Sequence, residues 1–139
     1  MAENAYGFKR YVEEMIVYKK NYDRLCENVK KLVSHYGGVE LNENMYAIKT
    51  PCGKLNVSVG EFSKNRPTWI FTRIEHPEKV SENYRKMREF NTFSGKFNNI
   101  SYDGHYLISW LYCYLEDLIH PDDYGFIRIP DSNMELELV

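Results

Sequence analysis

Three arrangements of residues have the types that chemistry needs, and each points to a different kind of contact. The first is Ser94-Gly95-Lys96, within the stretch Asn91 to Asn98. A phosphate-gripping loop takes the form G-x-x-x-x-G-K-[ST] between a strand and a helix, so that backbone N–H groups and a helix N-terminus converge on the phosphates. Here Phe97 stands where Ser or Thr is required, and Gly95 has no second glycine at the required distance. The stretch therefore reads as a tight connection. Ser94-Gly95 turns the chain, Phe97 packs inward, and Asn91 and Asn98 bond the loop's own backbone.

The second arrangement is basic. Lys79, Arg85, Lys86, Arg88 and Lys96 are opposed between residues 79 and 96 only by Glu82 and Glu89, and Arg73 lies just upstream. With Tyr84, Phe93 and Phe97 interleaved, such a segment can neutralise a phosphate backbone while rings stack on bases. The third arrangement is its opposite. From Glu116 to the end, Glu116, Asp117, Asp122, Asp123, Asp131, Glu135 and Glu137 face Arg128 alone. Asp122, Asp123, Glu135 and Glu137, with Tyr124 and Phe126, form a carboxylate and aromatic array suited to a basic groove on a protein partner.

Catalytic signatures are missing from the sequence. His35, His76, His105 and His120 are scattered without metal-ligand spacing, and there is no G-x-S-x-G elbow or H-E-x-x-H pair. Cys26 and Cys113 fall in apolar helical patterns, where a thiol is ordinarily buried and inert. The expectation is a protein that is not an enzyme and holds neither metal nor cofactor.

The elements that must position these residues follow from period. Apolar side chains recur at Phe8, Tyr11, Met15, Tyr18, Tyr22, Leu25, Val29, Leu32 and Tyr36, with Gly37-Gly38 behind them, which predicts a long helix ended by a glycine cap. Such a helix spans roughly 43 Å, against roughly 37 Å for a compact domain of this length. It must overhang, break, or meet a second copy through Tyr11, Tyr18, Tyr22 and Leu25, making a homodimer one alternative. Strands are predicted at Met45 to Thr50 and Lys54 to Val59 around a turn at Pro51-Cys52-Gly53, then at Thr68 to Glu75 and Lys96 to Tyr102. A short, largely exposed basic helix is predicted from Pro77 to about Arg88. His105 to Ile119 is apolar on nearly all sides and reads as a buried helix, and Tyr124 to Pro130 as a further short strand before an acidic tail.

Composition bounds the rest. The chain has 139 residues, 43% hydrophobic and 27% charged, which fits one folded α+β domain. The architecture expected is a mainly antiparallel sheet of about four strands, with the long N-terminal and buried C-terminal helices on one face and the basic helix at an edge. Net charge is −2, too small for a global pull toward nucleic acid or anionic membrane. Twelve tyrosines favour an interface, since tyrosine offers an apolar face and a polar handle. An odd cysteine count of three, no leader-like N-terminus and no membrane-length apolar run lead to the expectation of a reduced, cytoplasmic protein without membrane contact.

Thr72-Arg-Ile-Glu-His-Pro-Glu-Lys-Val80, followed by Asn91-Thr-Phe-Ser-Gly-Lys-Phe-Asn98 and a closing helix, resembles small uncharacterised proteins of phages and plasmids that carry an N-x-x-S-G-K-[WF]-N element. The resemblance covers roughly Tyr46 to Ile119. No activity comes with it; it implies a mobile-element setting, where small cytoplasmic proteins without catalytic signatures are often inhibitors that occlude a host protein or complex, anti-CRISPR and other counter-defence proteins included. Two function classes therefore stand open: a protein-binding module of that kind, and a nucleic-acid-binding accessory protein using residues 79 to 96.

Overall fold

The computed structural model describes residues 2–64, 66–79, 94–102 and 104–119. Helix α1 runs from Ala2 to His35, starting earlier than the apolar period predicts and spanning roughly 51 Å. It stops where the glycines require. Gly37 has φ +72°, its N–H bonds Ser34 O (3.0 Å), and the Gly38 N–H bonds Val33 O (2.9 Å), the paired closure of a left-handed helix cap.

Five strands follow: β1 (Val39–Asn42), β2 (Met45–Thr50), β3 (Gly53–Val59), β4 (Thr68–Ile74) and β5 (Ser94–Phe97). They pair in sequence order as an antiparallel meander. Asn44 takes φ +60° in the first hairpin turn, a conformation asparagine tolerates. In the second, Gly53 at φ +92° pairs with Thr50, whose Oγ1 donates to Gly53 O (2.7 Å) and accepts from the Cys52 N–H (3.0 Å). A side chain at Gly53 would collide with Glu75 and His76. Helix α2 (Gly104–Ile119) closes the described chain.

The fold class is α+β, as composition and period lead one to expect, with one more strand. β1 escapes the pattern because all of its residues are exposed, so no alternation marks it. The last strand is also displaced. Ser94 and Gly95 do not turn the chain; they pair with Phe71 and Ile70 as the start of β5, and Lys96 to Tyr102 is strand only as far as Phe97. Gly95 is buried on the core face, where a missing side chain leaves no apolar mark. Asn98 Oδ1 accepts the Ile100 N–H (3.0 Å), the local backbone bond expected of it, and this bend ends the strand. Of the helix expected from Pro77 to Arg88, one 3-10 turn (Pro77–Lys79) is described; the remainder, the strand expected at residues 124–130 and the acidic tail lie outside the described residues.

Both helices cover one face of the sheet. Leu25, Val29 and Leu32 of α1 and Ile108, Leu111 and Leu115 of α2 pack with Ile48, Leu55, Val57, Ile70 and Phe97 in a single core. Burying an aliphatic or aromatic side chain of this size contributes about 1.5–3 kcal/mol before entropy is counted.

One polar knot crosses this core. Asn99 is 3% exposed; its Nδ2 donates to Ser63 O (2.9 Å) and Arg66 O (3.2 Å), and Thr68 Oγ1 donates to its Oδ1 (3.4 Å). Its backbone oxygen accepts from Asn21 Nδ2 of α1 (3.0 Å). Asn99→Ala leaves two backbone carbonyls and a buried hydroxyl without their partner. We expect a loss of roughly 2–4 kcal/mol, read as a lower denaturant midpoint with an unchanged slope.

Candidate functional site

Among the described residues, both helices lie on one side of the sheet and none covers the other side. Alternation along β4 sends Ile70, Thr72 and Ile74 into the core and Trp69, Phe71 and Arg73 outward. Register then sets the neighbours. Lys96 of β5 lies opposite Trp69, Ser58 of β3 opposite Phe71, and Asn56 opposite Arg73. One row further, Lys49 of β2 lies opposite Lys54 of β3, both exposed.

The Trp69 and Phe71 rings stand nearly parallel, 24° between planes and 6.3 Å between centroids, and are 39% and 47% exposed. They are the largest rings on this face among the described residues. Among the described residues of β2 to β5, the charged side chains pointing to it within the strands are Lys49, Lys54, Arg73 and Lys96, all cationic. Glu75, just past the end of β4, has its carboxylate near the Lys54 N–H (3.4 Å) and His76 Nε2 (3.2 Å). The face therefore joins a ring pair to four cations, although the whole chain is slightly acidic.

The residues singled out from sequence are dispersed. Arg73 and Lys96 lie on the open face, whereas Lys79 sits in the exposed 3-10 turn beyond β4. Arg85, Lys86, Arg88, Asp122, Asp123, Tyr124, Phe126, Glu135 and Glu137 lie outside the described residues. Phe97 is 0% exposed and cannot stack on a base; it is core, as its inward packing requires. The proposed self-association set divides. Tyr22 and Leu25 are buried in the chain's own core, so they are corrected from a surface for a second copy to internal packing. Tyr22 OH donates to Gly60 O (2.9 Å) there. Tyr18 is half-buried and Tyr11 exposed, the latter capped by Lys64 Nζ at 3.9 Å from its ring centroid.

Trp69, Phe71, Lys49 and Lys54 were not singled out by motif. The signal was the alternation of Thr68 to Glu75: its β-branched aliphatic residues share one parity, and its two largest rings share the other with Arg73.

Cys26, Cys52 and Cys113 form no disulfide; the first is half-buried and the other two are buried. Burial pushes Cys26 and Cys52 above the ordinary thiol range, which keeps them protonated rather than nucleophilic. No group of three His, Cys, Asp or Glu side chains suited to a metal ion occurs among the described residues. Among them, too, no helix is long and apolar enough to cross a membrane. Comparison with protein-family models, curated proteins and solved structures finds no match to the chain.

The raised thiols carry a sign for stability. Below about pH 8.5 both states hold their protons and the contribution is complete; above it the unfolded thiols ionise first, so stability falls as pH rises toward the folded values. Tyr46 and Tyr102, also raised by burial, extend the fall above about pH 10. The melting temperature should therefore drop through this alkaline window. The Cys26→Ala, Cys52→Ala double variant should show a shallower drop up to the onset of tyrosine ionisation, and an unaltered slope would contradict the assignment to these thiols.

Proposed function

We propose that the chain is a non-enzymatic binding protein that takes single-stranded nucleic acid across the open face of its sheet. Trp69 and Phe71 stack on bases, while Lys49, Lys54, Arg73 and Lys96 neutralise phosphates. The observation that supports this reading is the near-parallel, exposed ring pair with Lys96 opposite Trp69 and Arg73 next along the same face of β4, Lys49 and Lys54 lying further along beside Glu75. Stacking tolerates any base, because each has a π-face, and contributes about 1–3 kcal/mol per base. Phosphate contacts add a term that weakens with salt, with a logarithmic slope of about −0.7 per phosphate for single strands. Little sequence preference is expected.

This reading keeps the nucleic-acid class expected from the basic segment and moves its centre to β4. Arg73 and Lys96 are common to both. The mobile-element setting implied by the resemblance is compatible with it, a small accessory protein that coats or redirects an exposed strand. The rival, an inhibitor occluding a host protein through Asp122, Asp123, Tyr124, Phe126, Glu135 and Glu137, draws its support from composition, since those residues lie outside the described structure.

Fluorescence titration with an oligothymidylate tests the proposal. In a Trp110→Phe background Trp69 is the sole tryptophan, and its emission should be quenched on binding. Trp69→Ala should weaken affinity roughly tenfold or more, and Lys96→Ala should reduce the magnitude of the salt slope by about 0.7 at unchanged melting temperature. Absence of salt-sensitive binding to any single strand would refute the reading. A stoichiometric protein recovered by the tagged chain from nuclease-treated lysate would then favour occlusion.

A further inference from the structure

We propose that the outer half of α1 pairs antiparallel with the same segment of a second copy. The reason starts with the length of the helix. From Tyr22 onward its apolar side chains are inside the domain, but before that point Phe8 is 70% exposed, Val12 39% and Ile16 52%. At 100° per residue, Phe8, Val12, Met15 and Ile16 share one ridge, rotated by roughly a quarter turn from the face that Leu25 and Val29 bury. This ridge is thus directed neither at the chain's own sheet nor at α2.

The two flanks of the ridge differ, and the difference selects the occupant. One flank is already engaged by the chain itself: Lys64 Nζ caps the Tyr11 ring and bonds Glu14 Oε2 (3.2 Å), while Arg10 Nε donates to Glu14 Oε1 (3.2 Å). The other flank presents Lys9 and Glu13, both exposed. A two-fold axis across the ridge between Tyr11 and Val12 sets Phe8 of one copy against Met15 of the other. It also brings like flank to like flank. Lys9 then meets Glu13 of the second copy, and symmetry makes the pair twice. The segment is therefore complementary to itself in charge as well as in apolar surface. A parallel pairing would turn Lys9 toward Glu14, whose carboxylate is already held by two cations. The antiparallel arrangement also carries the two sheets away from one another along the helix pair.

Sedimentation velocity on the full chain across a concentration series tests this directly. A concentration-dependent dimer is expected, and Phe8→Glu with Val12→Glu should make it monomeric. Because these side chains are exposed, circular dichroism and melting of that variant at low concentration should be unchanged. Register is tested by charge. Lys9→Glu should weaken dimerisation by roughly tenfold, from two symmetric repulsive pairs, and Lys9→Glu with Glu13→Lys should restore it. A wild type that stays monomeric up to millimolar concentration overturns the proposal, as does a double exchange that fails to restore the dimer.

Discussion

Asn99 ties three segments of the chain together through one buried side chain and its own backbone oxygen. Its side chain bonds the chain entering β4 at Ser63, Arg66 and Thr68, and its backbone oxygen receives Asn21 from α1. An amide buried in an apolar core is costly unless its donors and acceptors are met, so this position penalises any arrangement that breaks the set. The knot thereby positions the entry of β4 against the exit of β5. Opposite those ends lie Trp69 and Lys96, and the geometry of the open face inherits its definition from a residue on the other side of the sheet.

With the described helices on one side of the sheet, β2 to β5 are divided between two physical roles. The inner parity must be apolar and close-packed, and Leu55, Val57, Ile70 and Phe97 meet that demand at 1% exposure or less. The outer parity is released from packing and can carry ligand-directed side chains on a rigid frame. A surface built on hydrogen-bonded strands holds its rings with less motion than a loop would, because each backbone position is fixed by neighbours on both sides. Local charge then matters more than the total: a chain with a net charge of −2 can still present a cationic face.

How much of this could be read from the sequence depends on the element. The α1 cap was legible, since Gly37-Gly38 follows an unbroken apolar period and the backbone there requires positive φ. So was the β2–β3 hairpin. β1 was not, because a short edge strand exposed on both sides has no alternation to reveal it. Ser94-Gly95 misled for a related reason: a glycine on the core face looks like a turn former when its cross-strand neighbour, Ile70, is unknown. Trp69 and Phe71 were visible as one parity of β4, but ring size alone favours burying them. Only the placement of both helices against Ile70 and Ile74 decides that the rings face solvent. Tyr22 and Leu25 erred in the opposite direction, because a continuous stripe on a long helix does not disclose where the domain ends and the overhang begins.

The separation in sequence between α1 and its partners has a consequence for synthesis. The meander from β1 to β4 closes through short connections as it emerges from a ribosome, whereas Asn21 must wait for Asn99, 78 residues later, and Tyr36 for Glu116, 80 residues later. Until then the apolar stripe of the first helix has neither β5 nor α2 to lie against. The nascent chain thus passes through an interval in which its most extended amphipathic element is complete but only partly covered, by β2 to β4, and its packing is finished only when β5 and α2 have emerged.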